Sequence, residues 1–187
     1  MATAKACSGA TVSSAFALAL AASISLHPTL LLPPLVLLCH DRQTLHGAAQ
    51  SQQTSLGTYA VKHVTAFAAS TVILLGLSYS LTQSWAFLPA VYGTRLLVPD
   101  LTPNVGLWWY FFIEMFDSFR SFFLGVFGLH MAAYSPGLTI RLWRQPLAAV
   151  VLLCGVFSVF QPYPNIGDTG AWTAMLTLYG HVFECMF

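Results

Sequence analysis

The sequence alternates long apolar runs with shorter polar connections. Apolar runs cover residues 13–39, 59–83, 107–134, 146–161 and 169–187, and Pro28 and Pro33 interrupt the first of them. A helix needs about 20 apolar residues to cross the hydrocarbon core of a bilayer. The pattern therefore predicts an all-α, polytopic transmembrane helical protein, with the first span broken at its prolines.

The predicted spans fill the chain from end to end. We therefore expect a single multi-span membrane domain over residues 1–187, and no separate soluble domain. The last apolar run ends in "GHVFECMF" without a capping glycine or a polar tail, although helices usually end with such signals. This pattern predicts that the chain is a fragment of a longer protein.

The connections between the runs differ in character. Residues 40–58 are rich in Gln, Ser and Gly and predict a water-exposed loop. Residues 84–106, the proline-rich connection, keep several aromatic residues and predict a segment in the membrane interface. Arginines 42, 141 and 144 fall on the same side of the predicted spans, so that side is predicted to be cytosolic.

Composition supports a membrane protein. Charged residues make up 7% of the chain and hydrophobic residues 57%, with a mean hydropathy of +0.71, whereas soluble domains carry about 25% charged residues. The net charge is +1 and no basic run is present, so nucleic-acid binding is not supported. No HExxH, CxxC, GxSxG or Walker motif occurs, so we predict no metal, no cofactor and no catalytic residues.

Three charged residues stand inside the aromatic stretch "LWWYFFIEMFDSFRSFF". On one continuous helix Glu114, Asp117 and Arg120 would climb a single face, where Asp117 and Arg120 could form a structural pair. Such charges should face protein, water or a bound polar group instead of lipid tails. The pair leaves Glu114 without a local cation. Two interpretations remain open, a self-neutralised structural pair and a functional intramembrane acid.

The same stretch supplies aromatic side chains for the predicted helix. They form either an interfacial belt or part of a site for a molecule with a polar head and acyl tails. The members that we consider for lipid binding are Trp109, Tyr110, Phe112 and Phe116.

Several segments are similar to one known family. The stretch "SWAFLPAVYGTRLLVPDLTPNVGLWWYFFIEMFDSF" resembles the multi-pass U subunit of the glycosylphosphatidylinositol (GPI) transamidase, the PIG-U family. Two weaker matches flank it in the same order, "SAFALALAASISLHPTLLLP" and "PYPNIGDTGAWTAM". The resemblance covers nearly all of the chain, which corresponds to the middle of a family member.

The resemblance implies a non-catalytic, multi-pass subunit in the endoplasmic reticulum membrane. The complex attaches GPI anchors to proteins, and its cysteine-protease-like chemistry resides in another subunit. The implied partners are the other GPI transamidase subunits, the GPI lipid, the carboxy-terminal signal peptide of the precursor, and the membrane. The implied fold is similar to the membrane part of lipid-linked mannosyltransferases.

Residue patterns and resemblance together favour one hypothesis for the site. Asp100 and Asn104 would bind sugar or phosphoethanolamine groups at the lumenal surface, next to the acidic and aromatic helix. Both residues are equally suited to form turns around the neighbouring prolines. The same two interpretations apply to a lumenal turn that holds Tyr163, Asn165 and Asp168, because Asp168 can cap the next helix.

Two other functions compete with this hypothesis. A lipid-linked, GPI-type mannosyltransferase would use an acid as general base, but its expected acidic residues near the amino terminus are missing. A transporter would line a path with Glu114, Asp117 and Arg120, and would be supported by a matching second half, which the sequence does not show.

Overall fold

The computed structural model describes residues 1–46 and 55–179 of the chain. These two ranges contain helices, turns and loops and no β-strand. The middle of the predicted polar loop and the end of the last apolar run lie outside the described residues. The α-helices are α1 (Ala2–Cys7), α2 (Thr11–Ile24), α3 (Leu32–His46), α4 (Leu56–Thr82), α5 (Thr94–Leu97), α6 (Leu107–Ile113), α7 (Asp117–Arg141), α8 (Pro146–Phe160) and α9 (Ile166–Leu176).

The first apolar run is broken once. Helix α2 ends at Ile24, Ser25 is extended, and a 3₁₀ turn over His27–Leu31 leads into α3. The expected second break at Pro33 is absent, because Pro33 and Pro34 lie in the first turn of α3. Backbone N–H groups there have no intrahelical partner to lose, so a helix tolerates proline at that place.

Helices α4 and α7 are long and apolar enough to cross a membrane. Their most apolar windows have mean hydropathies of 1.7 and 1.2. No residue in the most apolar part of α4 is fully buried, and outside its contact with α2 the helix leaves apolar side chains such as Val72, Ile73 and Leu77 exposed. An uncovered apolar helix face is typical of contact with lipid or with another protein.

Helix α8 lies at the centre of the packing. It is apolar on all sides and is packed against α3, α7 and α9. A helix that is hydrophobic all round is normally a buried one, and Val150, Val151 and Leu153 are almost completely buried here. Gly155 lets the Trp172 indole of α9 come close, since an added Cβ would lie 2.7 Å from that ring.

The short helix α1 was not predicted, and it belongs to the main core. Ala6 is buried in a cluster with Leu18, Leu35, Tyr59 and Val150, which come from α2, α3, α4 and α8. The Ser14 hydroxyl donates to the Ala2 carbonyl (3.2 Å) and fixes α1 on α2. The amino-terminal residues are therefore part of the folded unit.

The predicted span 107–134 is not one helix. Helix α6 ends at Ile113, Phe116 is extended, and α7 starts at Asp117. The Phe111 and Phe127 ring centroids are 5.1 Å apart, whereas a straight helix would separate these residues by ~24 Å. The chain therefore folds back at 114–116, and aromatic side chains of α6 contact those of α7.

Aromatic contacts explain this fold-back. Phe111, Phe112 and Trp108 of α6 surround Phe127, with ring centroids between 5.1 and 5.8 Å from it. Two of these contacts are edge-on, the geometry that favours aromatic pairs by roughly 0.5–1.5 kcal/mol each. A continuous helix would keep the same rings apart, so the broken conformation is favoured.

Cysteine cross-linking tests the fold-back. In a background with the native cysteines replaced by serine, we expect Phe111→Cys and Phe127→Cys together to be joined by a short bifunctional thiol reagent. Trypsin cleaves after Arg120, so the product appears in mass spectrometry as two linked peptides. The control pairs Phe111→Cys with Leu129→Cys, because Leu129 faces outward from α7. A continuous helix would give no product with either pair.

Candidate functional site

The 98–106 segment has no helix or strand, and side chains bind its backbone. Its carbonyl oxygens accept hydrogen bonds as follows: Val98 from Arg120, Asp100 from Tyr163 (2.9 Å), Leu101 from Trp109 (2.9 Å) and Thr102 from Asn104 (3.4 Å). Irregular backbone is stable away from water only when its polar groups are satisfied in this manner. These contacts give the segment a fixed position between α6, α7 and the 162–165 loop.

Asp100 and Asn104 both form local turns, as the second interpretation of the sequence expected. The Asp100 carboxylate accepts from the Thr102 hydroxyl and from the Thr102 N–H (2.9 Å), and Asn104 Oδ1 accepts from the Gly106 N–H (2.7 Å). The Thr102 hydroxyl and backbone bonds hold the pKa of Asp100 below its ordinary value. The carboxylate therefore stays charged at neutral pH, on the exposed side of the segment.

Tyr163 joins the two irregular segments. Its hydroxyl donates to the Asp100 carbonyl (2.9 Å), and its own carbonyl accepts from Arg95 Nη1 (3.5 Å). The Arg95 guanidinium carbon lies 5.7 Å from the centroid of the Tyr163 ring. Partial burial is the main cause that raises the pKa of Tyr163, so the hydroxyl remains a donor under physiological conditions.

Asn165 and Asp168 form the capping box at the start of α9. Asn165 Oδ1 accepts from the Gly167 N–H (3.1 Å), and Asp168 Oδ2 accepts from the Asn165 N–H (3.3 Å). The same Asp168 oxygen accepts from Gln161 Nε2 at the end of α8. One carboxylate thus connects the end of α8 with the start of α9.

A pocket of about 630 Å³ lies where these segments meet, and we call it the polar pocket. It is open to the outside and sits beside the end of α2. Among the described residues, one cation, one carboxylate and several amides line it, and these polar members are Ser25, Arg95, Asn104, Gln161, Tyr163, Asn165 and Asp168. These groups can bind a phosphate, an amine or sugar hydroxyls.

A second, more apolar space adjoins the polar pocket. This apolar groove has a volume of about 430 Å³ and shares Val105, Pro164, Asn165 and Ile166 with the polar pocket. Tyr110 lines its far side. A molecule with a polar head and an apolar tail could therefore occupy both spaces together.

Glu114 and Phe116 line a third space, the aromatic pocket. Its volume is about 260 Å³, and its other lining residues are Tyr110, Phe111, Met115, Phe119 and Phe123. Glu114 is the only charged residue in this lining, is exposed, and has no ion-pair partner among the described residues. Tyr110 lines both this pocket and the apolar groove. A carboxylate among aromatic rings is suited to an ammonium group.

The predicted pair of Asp117 and Arg120 is wrong. In the described part of the chain no ion pair joins them, and Arg120 donates instead to the Val98 carbonyl. Val98 is buried and has a φ of 43°, a conformation that β-branched residues rarely adopt. Arg120 is drawn to this carbonyl because the 98–106 segment passes over α7. Glu114 also does not share a helix face with Asp117, because the chain breaks between them.

The remaining site candidates, Trp109, Phe112 and Asp117, line none of the three spaces. Trp109 binds the Leu101 carbonyl, and Phe112 is buried between Trp108 and Phe127. Neither lines the three spaces described above. Asp117 is exposed in the first turn of α7 and lines none of them either. Among the described residues no group of three or more His, Cys, Asp or Glu could hold a metal ion.

Sequence reasoning missed Arg95 and Gln161 as site residues. Arg95 is the only basic residue between residues 63 and 119, and that isolation was a usable signal. The position of Gln161 carried no such signal, because a glutamine after an apolar run resembles any helix end. Both residues line the polar pocket through contacts with distant parts of the chain.

Comparisons with known proteins agree with one another. The family model described as GPI transamidase subunit PIG-U matches residues 1–187. The chain is 37% identical over 176 residues to the mouse and human proteins named GPI-anchor transamidase component PIGU. This alignment covers 94% of the chain and 40% of each relative. The Saccharomyces cerevisiae GPI transamidase component GAB1 is 43% identical over 116 residues, which cover 61% of the chain and 29% of that relative.

Gly106 should be essential for the contact between the 98–106 segment and the 162–165 loop. A Cβ at this position would lie 2.6 Å from Asn104 Oδ1 and 2.7 Å from Pro164 Cδ, and a proline ring cannot rotate away. We expect Gly106→Ala to destabilise the protein by roughly 1–3 kcal/mol, the usual cost of overpacking. The measurement is thermal unfolding of the detergent-solubilised full-length protein.

Gly93→Ala is the matched control. Its Cβ would meet only Pro89 Cβ, at an ordinary 3.6 Å, so the unfolding midpoint should not fall. If the unfolding midpoint falls equally in the two variants, close contact with Pro164 is not the reason why glycine is needed at position 106.

Proposed function

The chain belongs to the PIG-U family of GPI transamidase subunits, and from this premise we propose that it is a non-catalytic membrane subunit of the GPI transamidase complex. The chain spans about 40% of the length of the mouse and human relatives. The relatives are named as components of the transamidase, which supports an accessory role in attaching GPI anchors to proteins. The other subunits are its proposed partners.

A role in lipid binding is supported by one observation, namely that the polar pocket and the apolar groove adjoin each other. We propose that they bind the GPI lipid, with Arg95 on a phosphate and with Asn104 and Asn165 on sugar hydroxyls. The apolar groove would receive an acyl chain. A carboxy-terminal signal peptide is also amphipathic, since a polar spacer precedes its hydrophobic tail. It carries no phosphate for Arg95, so the GPI lipid fits the polar pocket better.

Glu114 has a separate proposed role in the aromatic pocket. An ethanolamine amine is positively charged at neutral pH, and Glu114 with Phe116 and Phe119 offers it a carboxylate and aromatic faces. Tyr110 lines both the apolar groove and the aromatic pocket, so one ligand could contact the two spaces together.

The proposed setting is the endoplasmic reticulum membrane, crossed several times by one multi-span domain. Helices α4 and α7 have the length and the composition for crossing. Arg42, Arg141 and Arg144 would lie on the cytosolic side and the polar pocket on the lumenal side. A fold similar to the membrane part of lipid-linked mannosyltransferases is part of the same proposal. The exposed apolar face of α4 is available for another subunit or for lipid.

Arg95→Gln should impair the attachment of GPI anchors. The variant, in a full-length protein, is expressed in cells that lack the endogenous PIG-U subunit, and GPI-anchored proteins are counted at the cell surface. We expect a several-fold loss relative to the parent, because a phosphate loses its guanidinium partner. Arg141→Gln is the control, since Arg141 is equally charged and lies at the far end of α7.

Co-purification with the other subunits separates binding from folding in this test. A normal complex with poor attachment supports the proposed role of Arg95. A parent protein that fails to restore attachment would overturn the proposed function as a whole. Full attachment with Arg95→Gln would show that Arg95 does not bind the lipid. The proposed role as a transamidase subunit would still stand.

Glu114→Gln should also lower attachment, and Asp117→Asn should not. Both changes remove one negative charge within one short stretch, but only Glu114 lines the aromatic pocket. An amide keeps the size of the side chain and loses the attraction for an ammonium group, so a several-fold reduction in surface GPI-anchored proteins is expected. Equal effects of the two variants would indicate a general effect of charge at the fold-back.

A further inference from the structure

A groove with two arginines lies at the opposite end of α8 from the polar pocket. It measures about 350 Å³, and we call it the cationic groove. Arg42 lines it from α3 and Arg144 from the turn between α7 and α8, while Leu38, Leu45 and Leu147 form apolar walls. Helix α8 has 15 residues and is ~22 Å long, so the two sites are distinct.

The charges in this groove do not neutralise one another. Neither Arg42 nor Arg144 has an ion-pair partner among the described residues. Asp41 also lines the groove, so among the described residues of this lining two positive charges oppose one negative charge. The Arg144 guanidinium carbon lies 5.1 Å from the centroid of the Trp143 ring, so the two neighbouring side chains form a cation–π contact. Unpaired guanidinium groups of this kind bind phosphate oxygens strongly.

Exposed apolar side chains beside the arginines indicate what carries the phosphate. Leu45, which lines the groove, is 68% exposed, and Trp143, which precedes Arg144, is 58% exposed. A small soluble anion would leave these surfaces in water, whereas acyl chains would cover them. Tryptophan next to arginine is also typical of the level of lipid headgroups. The ligand that matches both features is a phospholipid.

We infer that the cationic groove binds the headgroup of an anionic glycerophospholipid in the cytosolic leaflet. The inference rests on the membrane orientation given in the proposed function. Anionic lipids are concentrated on cytosolic membrane surfaces. A zwitterionic headgroup has no net charge to complement a groove whose described lining is net positive, so a net negative lipid is favoured. This site is separate from the one proposed for the GPI lipid.

Photo-crosslinking in microsomes tests this site with the full-length protein in its complex. Photoactivatable phosphatidylserine and phosphatidylcholine with identical acyl chains are compared, and the amount of captured protein is measured. Phosphatidylserine should give the higher yield. Arg42→Gln and Arg144→Gln should each weaken its apparent affinity by about tenfold, because each variant loses charged hydrogen bonds to the bound phosphate. Arg144→Lys keeps the charge and should retain most of the capture.

Arg141→Gln is the matched control, because Arg141 is exposed at the same end of α7 but does not line the groove. Its capture should equal that of the parent. Equal loss with Arg141→Gln would indicate diffuse attraction, and equal capture of phosphatidylcholine would indicate binding of the tails alone; either result overturns the inference. Competition by soluble glycerophosphoserine as strong as that by unlabelled phosphatidylserine would also overturn it, in favour of a free anion.

Surface GPI-anchored proteins are counted in the same cells. This count distinguishes a failure of the cationic-groove inference from a failure of the proposed function. Lost phosphatidylserine capture with normal anchor attachment supports the cationic groove and leaves the proposed function intact. Capture that persists in both groove variants, while each still assembles with the other subunits, would overturn the inference whatever the level of attachment.

Discussion

The structure depends on how the backbone of the 98–106 segment is satisfied. Carbonyl groups outside helices and strands need partners wherever water is scarce, and here Arg120, Trp109 and Tyr163 supply them. These three side chains come from α7, α6 and the loop before α9. Because Trp109 and Arg120 bind carbonyls only three residues apart, the fold-back of α6 on α7 and the course of the segment determine each other.

The same constraint builds the site. A fixed 98–106 segment holds Arg95 on one side and Asn104 on the other against the 162–165 loop, and the polar pocket is the space left between them. Gly106 permits the closest approach, since a Cβ there would collide with the Pro164 ring. The pocket therefore does not depend on a single strong contact. It follows from several hydrogen bonds that together fix the position of the segment.

Local features could be predicted from the sequence and distant contacts could not. The turns at Asp100 and Asn104 and the cap at Asp168 involve partners within three positions, so residue type and spacing reveal them. The fold-back at Glu114 depends on rings 16 positions apart, and the aromatic run has the same hydropathy in a straight helix and in a broken one. The Asp117–Arg120 pair failed for a related reason, because local spacing cannot show that a carbonyl from another segment lies within reach of Arg120.

Helix α8 is shorter than the hydrocarbon core of a membrane. Its 15 residues extend ~22 Å, less than the ~30 Å thickness of a hydrocarbon core. In the proposed orientation, α8 alone does not reach both headgroup levels, and residues beyond its ends complete the two sites. The apolar groove adjoins the polar pocket at Val105, Pro164, Asn165 and Ile166. A lipid could enter such a site sideways, with its tail remaining in the bilayer and only its head moving onto the protein.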